Sequence, residues 1–217
     1  MKTTFILTGE GSSDLRLVEH IENILIESGF AEASGEAPDL SVFKQPVGRT
    51  VSEKLSVLLT HYPNVDVIFI HRDADNVGIL AREQEISAAA QGVVEMDRII
   101  PVIPVTMLET WLLADSEAIK RVAGNSGYKG KLECIPAIRQ MENNPNAKQL
   151  LLDALCEASQ TQGTRLRKFK KRFPEMRARL TFDLDPNGPV RQLDSYQHFR
   201  ERISIYCKQK LGVAYRE

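Results

Sequence analysis

Apolar positions along the chain fall into two regimes, and the change between them divides the molecule. In the first half, short β-branched runs alternate with stretches of helical period. Residues 5–8 (Phe-Ile-Leu-Thr) read as a strand, and Gly9-Glu10-Gly11 as the turn that ends it. Ser12 or Ser13 is placed to cap the next helix, in which Leu15, Val18, Ile21, Ile24 and Leu25 recur on one face before Gly29 stops it. Residues 40–43 (Leu-Ser-Val-Phe) alternate as a second strand would. Thr50-x-x-Glu53 is a capping box that opens a helix through Leu55, Leu58 and Leu59. Residues 65–71 form an apolar, β-branched run, a third strand that ends in Arg72-Asp73-Ala74-Asp75. A helix over about 79–90 follows. Residues 99–105 give a fourth extended run, whose two prolines predict an edge position or a strand end. Thr106-x-x-Glu109 has the form of another capping box, ahead of Trp111-Leu112-Leu113.

Four strands separated by helices predict an α/β fold with a mostly parallel sheet flanked by helices. The second half has no strand pattern. Past the Gly- and Asn-containing loop at 124–130, residues 147–158 read as helix. Leu166, Phe169, Phe173, Met176 and Leu180 make an apolar stripe that Pro174 must restart. A last helix, capped by Asp194 or Ser195, carries Tyr196, Phe199, Ile203 and Tyr206 on one face and ends before Gly212. The expected organisation is an α/β domain over 1–123 and a helical C-terminal extension over 124–217 packed on it.

Composition narrows the setting. A hydrophobic content of 42% and a charged content of 26% are those of an ordinary globular chain. No apolar run reaches the ~18 residues of a membrane span, so no membrane partner is expected. The chain opens directly into a strand, without an apolar signal core. Its three cysteines, Cys134, Cys156 and Cys207, make neither a disulfide framework nor a zinc spacing. A reducing, cytoplasmic location is the expectation. The net charge of −1 conceals an asymmetry. Residues 165–179 hold eight Lys/Arg against the single acid Glu175, a local +7, which leaves about −8 for the rest. Arg165, Arg167, Lys168, Lys170, Lys171 and Arg172 lead this segment. Their two readings are a solvated cationic helix face and a salt-sensitive contact to a nucleic-acid backbone.

The candidate chemistry lies where the strands end. In a parallel sheet, ligands sit at the carboxyl ends of the strands. Glu10 follows strand one, Asp73 and Asp75 follow strand three, and Glu109 follows strand four. If Asp73-Ala74-Asp75 continues extended, both carboxylates face one side. Two carboxylates about 5 Å apart at an effective dielectric of about 20 repel by roughly 3 kcal/mol, so a cation is expected between them. Hard oxygen ligands on an open rim suit Mg²⁺ or Mn²⁺. Glu10 can then reach the metal or act as general acid or base. Glu109 is either a further ligand or only the closing residue of its capping box, and Asp75 either a ligand or a helix cap. Asp115 reads as a solvated helix residue. Arg72 can hold a phosphate or salt-bridge to the scaffold. No Walker-type loop, dinucleotide fingerprint, nucleophile elbow or HExxH spacing is present.

These residues resemble a known family. Thr8-Gly9-Glu10-Gly11-Ser12-Ser13-Asp14 resembles the EGxx(D/E) motif at the end of the first strand of TOPRIM domains, and Asp73-Ala74-Asp75 their DxD motif. Residues 103–115, with Glu109-Thr110-Trp111-Leu112-Leu113-Ala114-Asp115, are similar to a segment of a bacterial TOPRIM-like family of uncharacterised proteins. That family is related to the nuclease domain of overcoming-lysogenization-defect (OLD) proteins. A looser similarity runs through residues 144–148 and the final helix. The resemblance implies Mg²⁺-dependent phosphodiester chemistry on nucleic acid. In it Glu10 would be the general acid/base, Asp73 and Asp75 the metal ligands and Glu109 an auxiliary acid. It also implies a phage-defence context with a partner ATPase of the ABC/AAA type. The chain lacks a tyrosine placed as a topoisomerase nucleophile, which argues against strand passage.

Two other function classes compete with a nuclease. One is a non-catalytic TOPRIM-like subunit that binds nucleic acid or a partner. The other is a phospho-acceptor receiver domain, which needs a lysine at the end of a fifth strand that the pattern does not supply.

Overall fold

A computed structural model describes residues 1–9, 14–43, 47–48 and 50–212. Ser12 and Ser13, the expected caps of the first helix, lie outside them. Strand β1 (Lys2–Thr8) is followed by a 3-10 turn (Asp14–Leu17) and helix α1 (Val18–Glu27), then by β2 (Glu32–Glu36). Helix α2 (Val51–His61), β3 (Val67–His71), α3 (Ile79–Ala90) and β4 (Ile99–Val102) complete the α/β part. The remainder is helical: α4 (Glu109–Leu113), α5 (Ser116–Val122), α6 (Ile138–Met141), α7 (Ala147–Ser159), α8 (Gly163–Lys171), α9 (Phe173–Phe182) and α10 (Asp194–Leu211).

The four strands form one all-parallel sheet in the order β2-β1-β3-β4. Strand residues alternate between two apolar layers, because successive side chains point to opposite faces. Phe5, Leu7, Val67, Phe69, Ile100 and Val102 meet α1 and the C-terminal helices. Ile6, Ile68, Ile70 and Ile99 meet α2 and α3. A sheet covered on both sides needs apolar residues at every central position, which is why Val67, Ile68, Phe69 and Ile70 follow one another without a polar break. Among the described residues the C-terminal half has no separate core. Met176, Leu180, Tyr196, Phe199 and Ile203 belong to the same apolar layer as Phe5 and Phe69.

Several local expectations hold. Thr50 and Glu53 form both halves of the capping box at α2. Helix α3 spans 79–90. Pro174 starts α9 just after α8 ends, and Gly212 closes α10 in the left-handed region at φ 65°. Pro101 lies in β4, an edge strand, where its missing N–H costs least.

Two expectations fail. The second strand is 32–36, not 40–43. Residues 40–42 form a 3-10 turn, because the Asp39 carboxylate accepts from the Ser41 N–H at 2.9 Å and from its hydroxyl. The sequence Glu-Ala-Ser-Gly-Glu buries only Ala33 and has no detectable period. It becomes a strand because β1 offers it a ladder. The box at Thr106 also fails to form. Thr106 takes φ 60° and its hydroxyl pairs with that of Thr110 at 2.9 Å, while Leu108 occupies the N-cap of α4 without a side-chain cap.

Candidate metal rim and basic helices

In this sheet β1 returns to β2 on one side and neighbours β3 on the other. The topological switch point therefore lies between β1 and β3, where α/β sheets open a crevice at their carboxyl ends. Thr8, Gly9, Val51, Lys54, Ile70, His71 and Arg72 line a small crevice there. Lys54 reaches across it from α2 and donates to the Gly9 carbonyl at 2.7 Å. Glu10, the next residue, lies outside the described residues.

Strand β3 stops at His71, and the Asp-Ala-Asp segment does not stay extended through Asp75 as expected. The chain continues alongside the tail of β4: the Arg72, Ala74 and Asp75 N–H groups donate to the carbonyls of Val102, Pro104 and Thr106. Asp75 sits in the left-handed region at φ 45°. Short polar residues tolerate that region through local hydrogen bonding. The two carboxylates consequently meet different partners. Asp73, half-buried, accepts from the Leu108 N–H at 3.0 Å and lies 3.6 Å from Nε2 of the buried His71. Asp75, half-exposed, pairs with Arg82 of α3 at 2.9 Å.

Arg82 is the residue that sequence reasoning missed. It donates to the Asp73 carbonyl at 2.9 Å, to Glu85 at 2.8 Å and to Asp75. Glu85 also takes Arg72 at 2.9 Å, so Arg72 salt-bridges to the scaffold. Burial pushes the Glu85 carboxyl up, but hydrogen bonds from Arg82 and Arg72 and their charge hold it below the ordinary value. A signal existed: once α3 begins at Ile79, Arg82 and Glu85 are one turn apart on the same face. Only the turn at 75–78 shows that this face meets Asp75.

Glu109 is corrected most firmly. It closes no capping box. It is buried, and its carboxylate takes Arg177 of α9 at 2.7 Å. Breaking a buried pair costs roughly 3–5 kcal/mol, whereas the Asp75–Arg82 pair is half-exposed on its acidic side and is worth less. Glu109 is thus held by a structural cation, whereas Asp75 is the more accessible of the two carboxylates. Asp115, expected as solvated, caps α5 by accepting from the Ala118 N–H at 2.9 Å. The remainder of that segment serves packing. Trp111 is fully buried, its ring 5.0 Å from Tyr196 and 5.6 Å from Phe199, and its Nε1 donates to the Ser195 hydroxyl at 2.8 Å.

The donor types at the rim are carboxylates, which suit a hard divalent ion in kind. Asp73 is oriented by the backbone and Asp75 is exchangeable. Among the described residues no three His, Cys, Asp or Glu side chains gather as a ligand group. Burial raises the thiols of Cys134 and Cys207 to about 11, so neither is a thiolate nucleophile at neutral pH.

The basic segment folds as the helix pair α8–α9. Arg165, Arg167, Lys168, Lys170, Lys171 and Arg172 are all exposed, and no residue of α8 is buried. Helix α9 packs against the 3-10 turn that follows β1 and against α4, which follows β4. Helix α9 thus stands beside the carboxyl rim of the sheet, and the basic helix α8 packs on α9 and α7. Among the described residues no helix is long and apolar enough to cross a membrane. The sheet has four strands there, so the fifth strand of a receiver domain is missing from the described residues. Comparison with protein-family models, curated proteins and solved structures finds no match to this chain.

Proposed function

We propose that the chain is a Mg²⁺- or Mn²⁺-dependent phosphodiesterase of TOPRIM type, a nuclease acting on nucleic acid in the cytoplasm. The observation that carries this reading is a juxtaposition. Asp73 and Asp75 leave β3 at the switch point, and α9, continuous with the basic helix α8, packs at the same rim. Asp73 and Asp75 are the residues that would hold the ion, with Glu10 as the general acid or base that the motif resemblance assigns. The ion would supply charge stabilisation at a phosphoryl oxygen and an activated water. The Leu108 N–H fixes one Asp73 oxygen, so that ligand is held in place before any ion arrives. The Arg165–Arg172 cluster would hold the backbone of the substrate. A partner ATPase of the ABC/AAA type and a role in phage defence are the extension that the resemblance implies.

The test is cleavage of end-labelled DNA and RNA with Mg²⁺ or Mn²⁺. Asp73→Ala should abolish it while leaving the circular dichroism spectrum unchanged. Wild-type protein that cleaves neither polymer with either ion, with or without an ATPase partner, overturns the proposal.

A second reading has its own support. Arg82 already neutralises Asp75, and Arg177 already neutralises Glu109. These pairs favour a non-catalytic subunit that binds nucleic acid or a partner. In that case Asp73→Ala leaves binding intact, and reversing charges on α8 removes it.

A further inference from the structure

Helices α5 and α9 enclose a cleft of about 370 Å³, inside the roughly 300–1,000 Å³ range of small-ligand sites. It is lined by the apolar Val122 and Met176, by Arg121, Arg172 and Arg179, and by the acids Glu175 and Asp183. Arg172 is also the last residue of the basic run on α8, so the cleft continues that cationic surface. Phe182 does not line the cleft but neighbours it through Arg179, a lining residue whose guanidinium lies over the Phe182 ring, 5.4 Å from the centroid. Phe182 is 44% exposed, and among the described residues it is the only exposed Phe, Tyr or Trp. Every other described Phe, Tyr or Trp is half-buried or more deeply covered, so this ring offers the most accessible aromatic surface among the described residues. The two acids do not close the cleft to an anion. Arg172–Glu175 and Arg179–Asp183 are one-turn pairs on α9 whose arginines are 64% and 62% exposed, and such pairs are worth little against a competing charge.

Arginines beside apolar side chains, with an exposed aromatic ring next to them, match one ligand chemistry: phosphates in series with a base whose face is free. Stacking platforms flanked by cations are how proteins hold unpaired strands, since a paired base has no free face to offer. We propose that the α5–α9 cleft is a subsite for single-stranded nucleic acid. Arg121, Arg172 and Arg179 contact backbone phosphates there, and Phe182 stacks an unpaired base. This inference rests on the nucleic-acid reading of the basic segment and deepens it. It names the single strand as the ligand and assigns Arg121 and Phe182, which lie outside or at the margin of that segment.

The test is fluorescence anisotropy in EDTA with three fluorescein-labelled probes of 20 nucleotides: oligo-dT, an abasic strand of the same length, and a duplex. Phe182→Ala should weaken oligo-dT binding roughly five- to tenfold, at the lower end of what loss of one stacked base costs. It should leave the abasic strand and the duplex unchanged, and Phe182→Trp should restore oligo-dT binding. Arg121→Ala should weaken oligo-dT and abasic binding alike and flatten the salt dependence by about 0.7 in log–log slope. Oligo-dT binding that is indifferent to Phe182→Ala, or equal losses on all three probes, overturns the subsite. If Lys170→Glu with Lys171→Glu still abolishes duplex binding in that event, the broader nucleic-acid reading survives its loss. Wild-type protein that binds none of the three probes overturns both.

Discussion

The Glu109 carboxylate and the Arg177 guanidinium meet at 2.7 Å, with only 3% and 12% of their side-chain surfaces exposed. One follows β4 and the other lies in α9, 68 residues later. The pair fastens the C-terminal helices to the rim of the sheet. An acid that sequence position makes a candidate ligand is thereby committed to a structural cation.

Loss of one partner should be costly. Arg177→Met leaves a buried carboxylate uncompensated and is expected to destabilise the protein by about 3–5 kcal/mol, read as a fall in the urea midpoint. Adding Glu109→Gln should recover part of that loss. A double mutant no more stable than the single one would show that the two residues are not coupled.

Arg82 competes with any cation for Asp75. Its removal also frees Glu85 and the Asp73 carbonyl, so the variant's fold is checked by circular dichroism before binding is measured. Arg82→Ala is expected to tighten Mn²⁺ binding by up to about fivefold, the equivalent of about 1 kcal/mol, in isothermal titration. Unchanged or weaker Mn²⁺ affinity would remove Asp75 from the ligand set.

His20 makes stability depend on pH in the acid range. It is buried, with Nδ1 at 2.8 Å from the Leu184 carbonyl and Nε2 at 2.9 Å from the Tyr196 hydroxyl. Burial lowers its pKa to about 4; the Leu184 contact opposes this, nearby Arg200 adds to it and Asp185 opposes it. The unfolded chain, with an ordinary histidine near 6.5, binds the proton first. Stability from this group is therefore complete above pH 6.5 and falls by about 1.4 kcal/mol per unit as pH drops toward 4. Urea midpoints at pH 7 and pH 5 should differ accordingly in the wild type, and His20→Gln should shrink the difference. An equal difference in the variant would place the pH dependence elsewhere.

Gly35 is required by its neighbour. A Cβ there would lie 2.1–2.5 Å from three carbons of the Phe5 ring, which is itself held edge-on against Phe69 at 5.1 Å. Gly35→Ala should cost about 1–3 kcal/mol by overpacking. Phe5→Leu in the same chain should reduce that increment in thermal unfolding, and an undiminished cost would locate the strain in the backbone instead.

Much of this protein is determined locally and was readable from its residues. The apolar runs at 5–8, 65–71 and 99–102 have to be strands of a covered sheet, because nothing else buries β-branched residues on both faces. The box at Thr50 and Glu53, the restart at Pro174 and the stop at Gly212 are local chemistry, complete within a few residues. The order of acidic residues after the strands is likewise a matter of sequence. Tertiary structure decided which carboxylates are committed. Whether Glu109 and Asp75 present themselves to solvent depends on guanidiniums that arrive from α9 and α3, at separations of 68 and 7 residues. It decided β2 as well, since the polar segment 32–36 is a strand only where β1 provides its hydrogen bonds. Short-range rules fix the backbone of each element. The charge state and occupancy of a rim are set by the groups that folding brings against it.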